Sequence, residues 1–128
     1  MSADPRFDRP GPDDVFNAAL AEGRFRLQRC RVCGAMRCPP GLVCLACGSP
    51  DLAWVAVSGA GEVYATTTVR AREGDYNVAI VALAEGPRMM SRVEGLAPEA
   101  VAIGMKVMAR IAPEPEPHVV FKPVEHQP

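Results

Sequence analysis

With 128 residues, 48% of them hydrophobic, and a formal charge of -1 at pH 7, the chain suffices for one compact domain or a small module joined to one small domain. The longest apolar run, residues 78–84, is far shorter than a membrane span, and the polar, Pro-rich start lacks the apolar segment of a secretory signal; a soluble, cytoplasmic protein with no membrane span is expected. The near-neutral total hides one basic segment: residues 23–50 hold Arg24, Arg26, Arg29, Arg31 and Arg37 and no acid, whereas both flanking stretches are net acidic.

In chain order, residues 1–12 carry three Pro and charges of both signs and read as a flexible tail. Asp13 is the expected N-cap of a helix over 13–23, with Val15, Phe16, Ala19 and Leu20 recurring at helical spacing before Gly23 stops it. A helix this short is not stable alone, so its Phe16/Leu20 stripe must dock, either on the rest of the chain or on a partner. Residues 24–29 then alternate polar and apolar, a short strand entering a segment, 24–50, built around four cysteines.

Those cysteines form two Cys-x-x-Cys-Gly units, Cys30 to Gly34 and Cys44 to Gly48, with ten residues between Cys33 and Cys44. Each unit places two thiolates on one tight turn, and two such turns close around one ion, so the spacing predicts one structural zinc per chain held by Cys30, Cys33, Cys44 and Cys47. The Gly after each second Cys supplies the positive φ that turns backbone N–H groups toward sulfur. Disulfides between the same residues are disfavoured in a reducing cytosol. A redox Cys-x-x-Cys would normally occur once, beside a βαβ pattern that is lacking here. Cys38, beside Pro39-Pro40, is left without a partner and reads as a free, partly buried thiol.

Residues 51–123 keep a period of two. Residues 52–57 and 62–70 are expected to form a hairpin about Ser58-Gly59-Ala60-Gly61, with Val63, Ala65, Thr67 and Val69 on one face. Tyr76 to Leu83 is the most apolar strand. Arg88 to Val93 returns after a Glu85-Gly86-Pro87 turn, Pro98 to Ala102 makes a helical turn, and Met105 to Ile111 alternates again. The Pro113 to Pro117 stretch is an extended loop, His118 to Phe121 a last edge strand, and 124–128 a second flexible tail. Five or six antiparallel strands with one helical turn fit a small barrel of the OB type, with a sandwich as the competing architecture. The fold class is mainly β.

No catalytic constellation is present. His118 and His126 stand alone, Asp75 and Glu85 are solitary carboxylates at turns, and Gly59-Ala60-Gly61 lacks the Lys and helix start of a phosphate loop. A zinc held by four thiolates has no open position for substrate, so a binding or assembly role is expected. The arginines suit phosphates or an acidic partner. Single-stranded nucleic acid is the alternative, weakened by an acidic barrel segment with scattered aromatics. The Met89-Met90 and Met105 to Met108 segments read first as core, second as an adaptable surface.

Taken together, the helix, the two knuckles with Pro39-Pro40 between them, Ser58-Gly59-Ala60-Gly61, the strand ending Glu85-Gly86-Pro87-Arg88, Ile103-Gly104-Met105-Lys106-Val107 and the terminal Phe121-Lys122-Pro123 resemble the thiolase-associated zinc-ribbon/OB-fold family, long known as a domain of unknown function. The resemblance runs from Asp13 to Pro123. It implies an N-terminal helix, a rubredoxin-like ribbon and an OB barrel. It also implies an accessory subunit in a hetero-oligomer with a thiolase-like or lipid-transfer-like enzyme acting on acyl-CoA, the catalytic residues lying on that partner; a stand-alone acyl-CoA-binding protein is the other possibility in this frame. Family members usually carry an aromatic and then Pro-Pro-Arg between the knuckles, where this chain has Cys38-Pro39-Pro40-Gly41. They often have Pro where Leu45 stands and Arg where Ala60 stands. The missing arginines weaken a direct grip on CoA phosphates by this chain.

Overall fold

The computed structural model describes residues 11–124; most of the two expected tails, and His126, lie outside the described residues. The chain divides into two units, one ending at Ala56 and one beginning at Val57.

The first unit opens with α1, Pro12–Ala21. Gly11, not Asp13, is the N-cap, because Pro12 has the φ of a first helical residue and no N–H to leave unpaired. Asp13 and Asp14 therefore fall in the first turn, where their charge opposes the helix dipole, and the Gly11 N–H donates to Asp14 Oδ2 at 3.3 Å. Ala19 and Leu20 are buried, and Phe16 meets Phe25 edge-on with 6.3 Å between ring centroids. The stripe is thus covered within its own chain: Leu20 is only 2% exposed.

Three strands follow, β1 (Arg26–Cys30), β2 (Met36–Arg37) and β3 (Leu52–Ala56), in the antiparallel order β2-β1-β3. The hairpin expected between residues 52–57 and 62–70 is not formed. Leu52–Ala56 pairs instead with Arg26–Cys30, from Cys30 opposite Leu52 to Arg26 opposite Ala56. The two strands flank the cysteine segment, so closing that segment brings their ends together and sets their register. The Arg31 N–H to Asp51 carbonyl bond, 2.9 Å, extends the same ladder.

The second unit contains β4 (Ala60–Val69), β5 (Tyr76–Leu83), β6 (Arg88–Ser91), a 3-10 turn at Pro98–Ala100, β7 (Lys106–Ala112) and β8 (His118–Pro123). The antiparallel sheet runs β6-β5-β4-β7-β8. Its edge strands meet at one short parallel seam, where Val93 bridges Phe121; the Glu94 N–H donates to the Phe121 carbonyl at 2.7 Å and the Phe121 N–H to the Arg92 carbonyl at 3.0 Å. The barrel is closed there and open elsewhere along β6. Phe121, Val81, Val63, Val107 and Val120 fill the core at 0–1% exposure.

The expected single face of β4 is interrupted. A register shift between Val63 and Ala65 marks a β-bulge, which swaps the faces beyond it. Val63 stays inside, but Thr67 is exposed, and Thr66 takes the inner position, opposite Ala79. Asn77, buried at 4% exposure, ties the bulge to the seam: its Nδ2 donates to Thr66 Oγ1 at 2.8 Å and to the Thr67 carbonyl at 3.1 Å, and its Oδ1 accepts the Val93 N–H at 2.9 Å. Glu85 is not a free loop carboxylate, since it accepts the Ser58 N–H at 2.8 Å. Nor are the methionines all core: Met90 is 72% exposed, because its side chain lies on the outer face of the sheet opposite Ile80.

Candidate metal centre

The centre is built by repeating one turn twice. In the first knuckle the Gly34 N–H donates to the Cys30 carbonyl at 2.9 Å and the Cys30 N–H to the Ala35 carbonyl at 2.9 Å; in the second, Gly48 to Cys44 and Cys44 to Ser49 do the same at 2.8 Å each. Gly34 and Gly48 both sit at φ 80°, which a side chain would adopt at a cost of about 1–2 kcal/mol. The turns aim N–H groups at sulfur: Val32 and Cys33 donate to Cys30 Sγ, and Ala46 to Cys44 Sγ, each at 3.4 Å.

The four sulfurs lie within 4.8 Å of one another. Across the knuckles, Cys30 Sγ stands 3.6 Å from Cys47 Sγ and Cys33 Sγ 3.5 Å from Cys44 Sγ. Tetrahedral zinc with Zn–S bonds of about 2.3 Å requires sulfurs about 3.8 Å apart, so the set fits such an ion. The sulfurs differ in acidity, with Cys30 and Cys44 lowered and Cys33 and Cys47 raised. N–H groups of Cys47 and Ala46 hold the Cys44 thiol down to about 6, and those of Cys33 and Val32 lower Cys30. At Cys47 the Ser49 N–H pulls downward but is outweighed by the neighbouring sulfurs and burial, which push it up to about 12. Four thiolates this close need a cation between them. Cys30 and Cys44 are buried and Cys33 and Cys47 exposed, so the clasp has one face in the protein and one at the surface. With all four positions taken by sulfur, it holds a metal structurally and leaves no site for substrate on it.

The linker between the knuckles is fixed by residues that the sequence pattern does not reveal. Gln28, 4% exposed, grips the Gly41 peptide from both ends, donating from Nε2 to its carbonyl at 2.9 Å and accepting its N–H on Oε1 at 2.7 Å. The Arg37 guanidinium lies over Gly41, so that a Cβ there would come within 2.0 Å of it. A side chain at Gly41 would therefore have to displace the Arg37 guanidinium. In the sequence Gln28 is one polar residue in an alternating strand, and nothing in that pattern marks it as buried. Cys38 is half-buried in this linker, its thiol raised by burial.

The five arginines do not form one patch. Arg24 is paired with Glu22, Arg31 with Asp51 at 3.0 Å, and two nitrogens of Arg37 are buried. Arg29 is exposed and has no carboxylate partner among the described residues; with Arg31, Gly34, Ala53 and Val55 it lines a shallow hollow of about 310 Å³. Aliphatic side chains are also exposed around the metal clasp: Val32, Leu42, Val43 and Leu45 are 42–76% exposed.

Comparison with known proteins places both units. Residues 18–53 match the rubredoxin-like zinc ribbon domain of ChsH2 and residues 54–112 its C-terminal OB-fold domain. A DUF35 domain-containing scaffold protein of Methanocaldococcus jannaschii is 31% identical over 113 residues, covering 77% of this chain and 80% of that one. A probable enoyl-CoA hydratase alpha subunit of Thermomonospora curvata is 38% identical over 114 residues, covering 81% of this chain but 36% of that protein, so the chain spans about a third of that relative. Among solved structures, a chain of the Ltp2-ChsH2(DUF35) aldolase superposes with a TM-score of 0.77 at 33% identity, over 90% of this chain and 98% of that one. A DUF35 protein of unknown function from Sulfolobus solfataricus, 18% identical, shares the fold with a TM-score of 0.66 over 94% of this chain and 91% of that one. The order of helix, four-cysteine rubredoxin-like zinc ribbon and OB fold, carried along most of the sequence at these identities, makes this chain a member of the DUF35 family of ChsH2-type proteins.

Proposed function

We propose that the protein is a non-catalytic accessory subunit, a zinc-clasped scaffold that assembles with a thiolase-like or lipid-transfer-like enzyme making or breaking carbon–carbon bonds on acyl-CoA substrates. Cys30, Cys33, Cys44 and Cys47 hold its one zinc, and Arg29 is the part of the basic segment left to meet the partner. The observation that carries the reading is the match, over 98% of its length, to a chain of an aldolase named for two components. It is supported by the scaffold name of the archaeal relative and by a metal site with no open ligand position. Leu20 is already spent inside the first unit and Phe16 packs edge-on against Phe25, so the helix stripe is not needed for the contact.

The test is gentle affinity purification from the native host. A thiolase-like companion in constant ratio to this chain is expected. Recovery of the chain alone, or with an unrelated protein, contradicts the proposal.

A further inference from the structure

The four sulfurs of the metal clasp are unequal, and their inequality is arranged in pairs. Cys30 and Cys44 are buried, at 2% and 3% exposure, while Cys33 and Cys47 are exposed. All four lie within 4.8 Å of one another, but the two short contacts, Cys30 to Cys47 at 3.6 Å and Cys33 to Cys44 at 3.5 Å, both run across the knuckles. Each short contact therefore joins one reachable sulfur to one protected sulfur. Backbone N–H groups sharpen the difference: Cys30 Sγ accepts from Val32 and Cys33 and Cys44 Sγ from Ala46 and Cys47, whereas Cys33 accepts from Ala35 alone and Cys47 from Ser49 alone. A thiolate that receives fewer hydrogen bonds keeps more charge on sulfur and is the better nucleophile.

The surroundings are electropositive. Residues 23–50 contain no acid, and Arg29, with no carboxylate partner among the described residues, lines together with Arg31 the hollow that reaches Cys30. Cationic, part-exposed settings of this kind separate reactive from inert cysteines. An exposed thiolate beside a second thiolate that can resolve it is the arrangement of a redox-sensing pair, and here it occurs twice.

We propose that the clasp is a peroxide-sensitive site: Cys33 and Cys47 are the points of attack, Cys44 and Cys30 resolve them, and the products are the disulfides Cys33–Cys44 and Cys30–Cys47. In each pair the exposed thiolate attacks hydrogen peroxide; an S–O bond forms, the O–O bond breaks and hydroxide leaves. The buried thiolate then attacks that sulfur; the S–S bond forms, the S–O bond breaks and a second hydroxide leaves. Two thiolates lose two electrons, and one peroxide is reduced to two hydroxides. A disulfide is about 2.05 Å long, so each pair has to close by about 1.5 Å. Sulfurs consumed in this way no longer hold zinc, which is released. Because both bridges join one knuckle to the other, they replace the link that the ion supplied and keep the cysteine segment closed. Arg26–Cys30 then stays paired with Leu52–Ala56, and the oxidised chain is zinc-free yet folded. Bridges inside each knuckle would leave the segment open. The proposal concerns the metal clasp itself and holds whichever enzyme the chain joins.

The test is titration of the zinc-loaded full chain with hydrogen peroxide, followed by a chromogenic chelator for released zinc, non-reducing peptide mapping and amide hydrogen exchange. Zinc is expected to leave in step with formation of Cys30–Cys47 and Cys33–Cys44, while the amides of Arg26–Cys30 and Leu52–Ala56 stay protected. The same amides are expected to lose protection when zinc is stripped by a chelator under reducing conditions. Dimedone added at early times should label Cys33 and Cys47, and reductant with added zinc should restore the starting form. Cys38→Ser should change the rate of zinc release by less than about twofold, since that thiol takes no part in the exchange. Bridges within a knuckle or to Cys38, dimedone on Cys30 or Cys44, sulfonic acids in place of disulfides, or strand protection lost along with the zinc each overturn the proposal. So does zinc retained at a peroxide dose that fully oxidises glutathione.

Discussion

Single residues decide whether the metal clasp exists. Removing one thiolate leaves three ligands for an ion that folds its module by binding, with apparent energies of about 10–16 kcal/mol in small zinc modules. Cys44→Ser is therefore expected to lower the zinc content from one per chain to near zero and to abolish amide protection in Arg26–Cys30 and Leu52–Ala56, as elemental analysis and hydrogen exchange will report. Gly48→Ala, at φ 80°, keeps the ligands and is expected to cost about 1–2 kcal/mol by denaturant unfolding. Glu94 offers a pH readout. Its bond from Arg92 Nε at 2.8 Å and from Arg110 at 3.2 Å hold its carboxyl below the usual range, the Arg92 bond contributing most. A carboxyl depressed in the fold stabilises it above the unfolded pKa and loses that contribution as pH falls through the folded value. The thermal midpoint of the wild type should therefore drop more steeply below about pH 4.5 than that of Glu94→Gln; parallel curves contradict the assignment. At this scale the sequence was most legible where chemistry forces a residue type. The four cysteines and two glycines stand in the predicted geometry, whereas Gln28 and Asn77 were invisible, because a buried amide and a surface amide look alike until their partners are known.

Elements were legible as elements and less so as pairs. Periodicity of two locates the strands but not their partners: Leu52–Ala56 pairs with Arg26–Cys30, because closure of the cysteine segment is a longer-range constraint that outweighs the Gly-rich bend after it. Alternation in β4 was likewise read through a bulge that no residue type announces. The consequence of that bulge is the Asn77 linkage, which binds β4, β5 and the seam at Val93 together. Asn77→Ala removes both donors and strands the Val93 N–H in the core, an expected loss of about 2–3 kcal/mol. Urea unfolding will check this, and a loss under about 0.5 kcal/mol would falsify the claim that Asn77 braces the seam.

For the whole molecule, the family was legible because motif order survives where pairing details do not; the arginines show the limit of that inference. Their clustering in sequence suggested one phosphate-binding surface, yet ion pairing and burial disperse them, leaving Arg29 as the exposed cation without a carboxylate partner beside the metal clasp. Single-stranded oligonucleotides are accordingly expected not to bind even at low salt, where phosphate contacts are strongest; a salt-dependent shift in electrophoresis contradicts this. On the proposed reading, the clasp with its exposed aliphatic side chains and the OB sheet are surfaces for another protein. The most direct measurement of that account is acyl-CoA turnover by this chain alone, by its co-purifying enzyme alone, and by the two reconstituted. The account predicts no turnover by this chain, and activity of the enzyme that rises or becomes stable when the zinc-loaded chain is restored but not when Cys44→Ser is used. Turnover by this chain in isolation, or enzyme activity and stability unchanged by its presence, would contradict it.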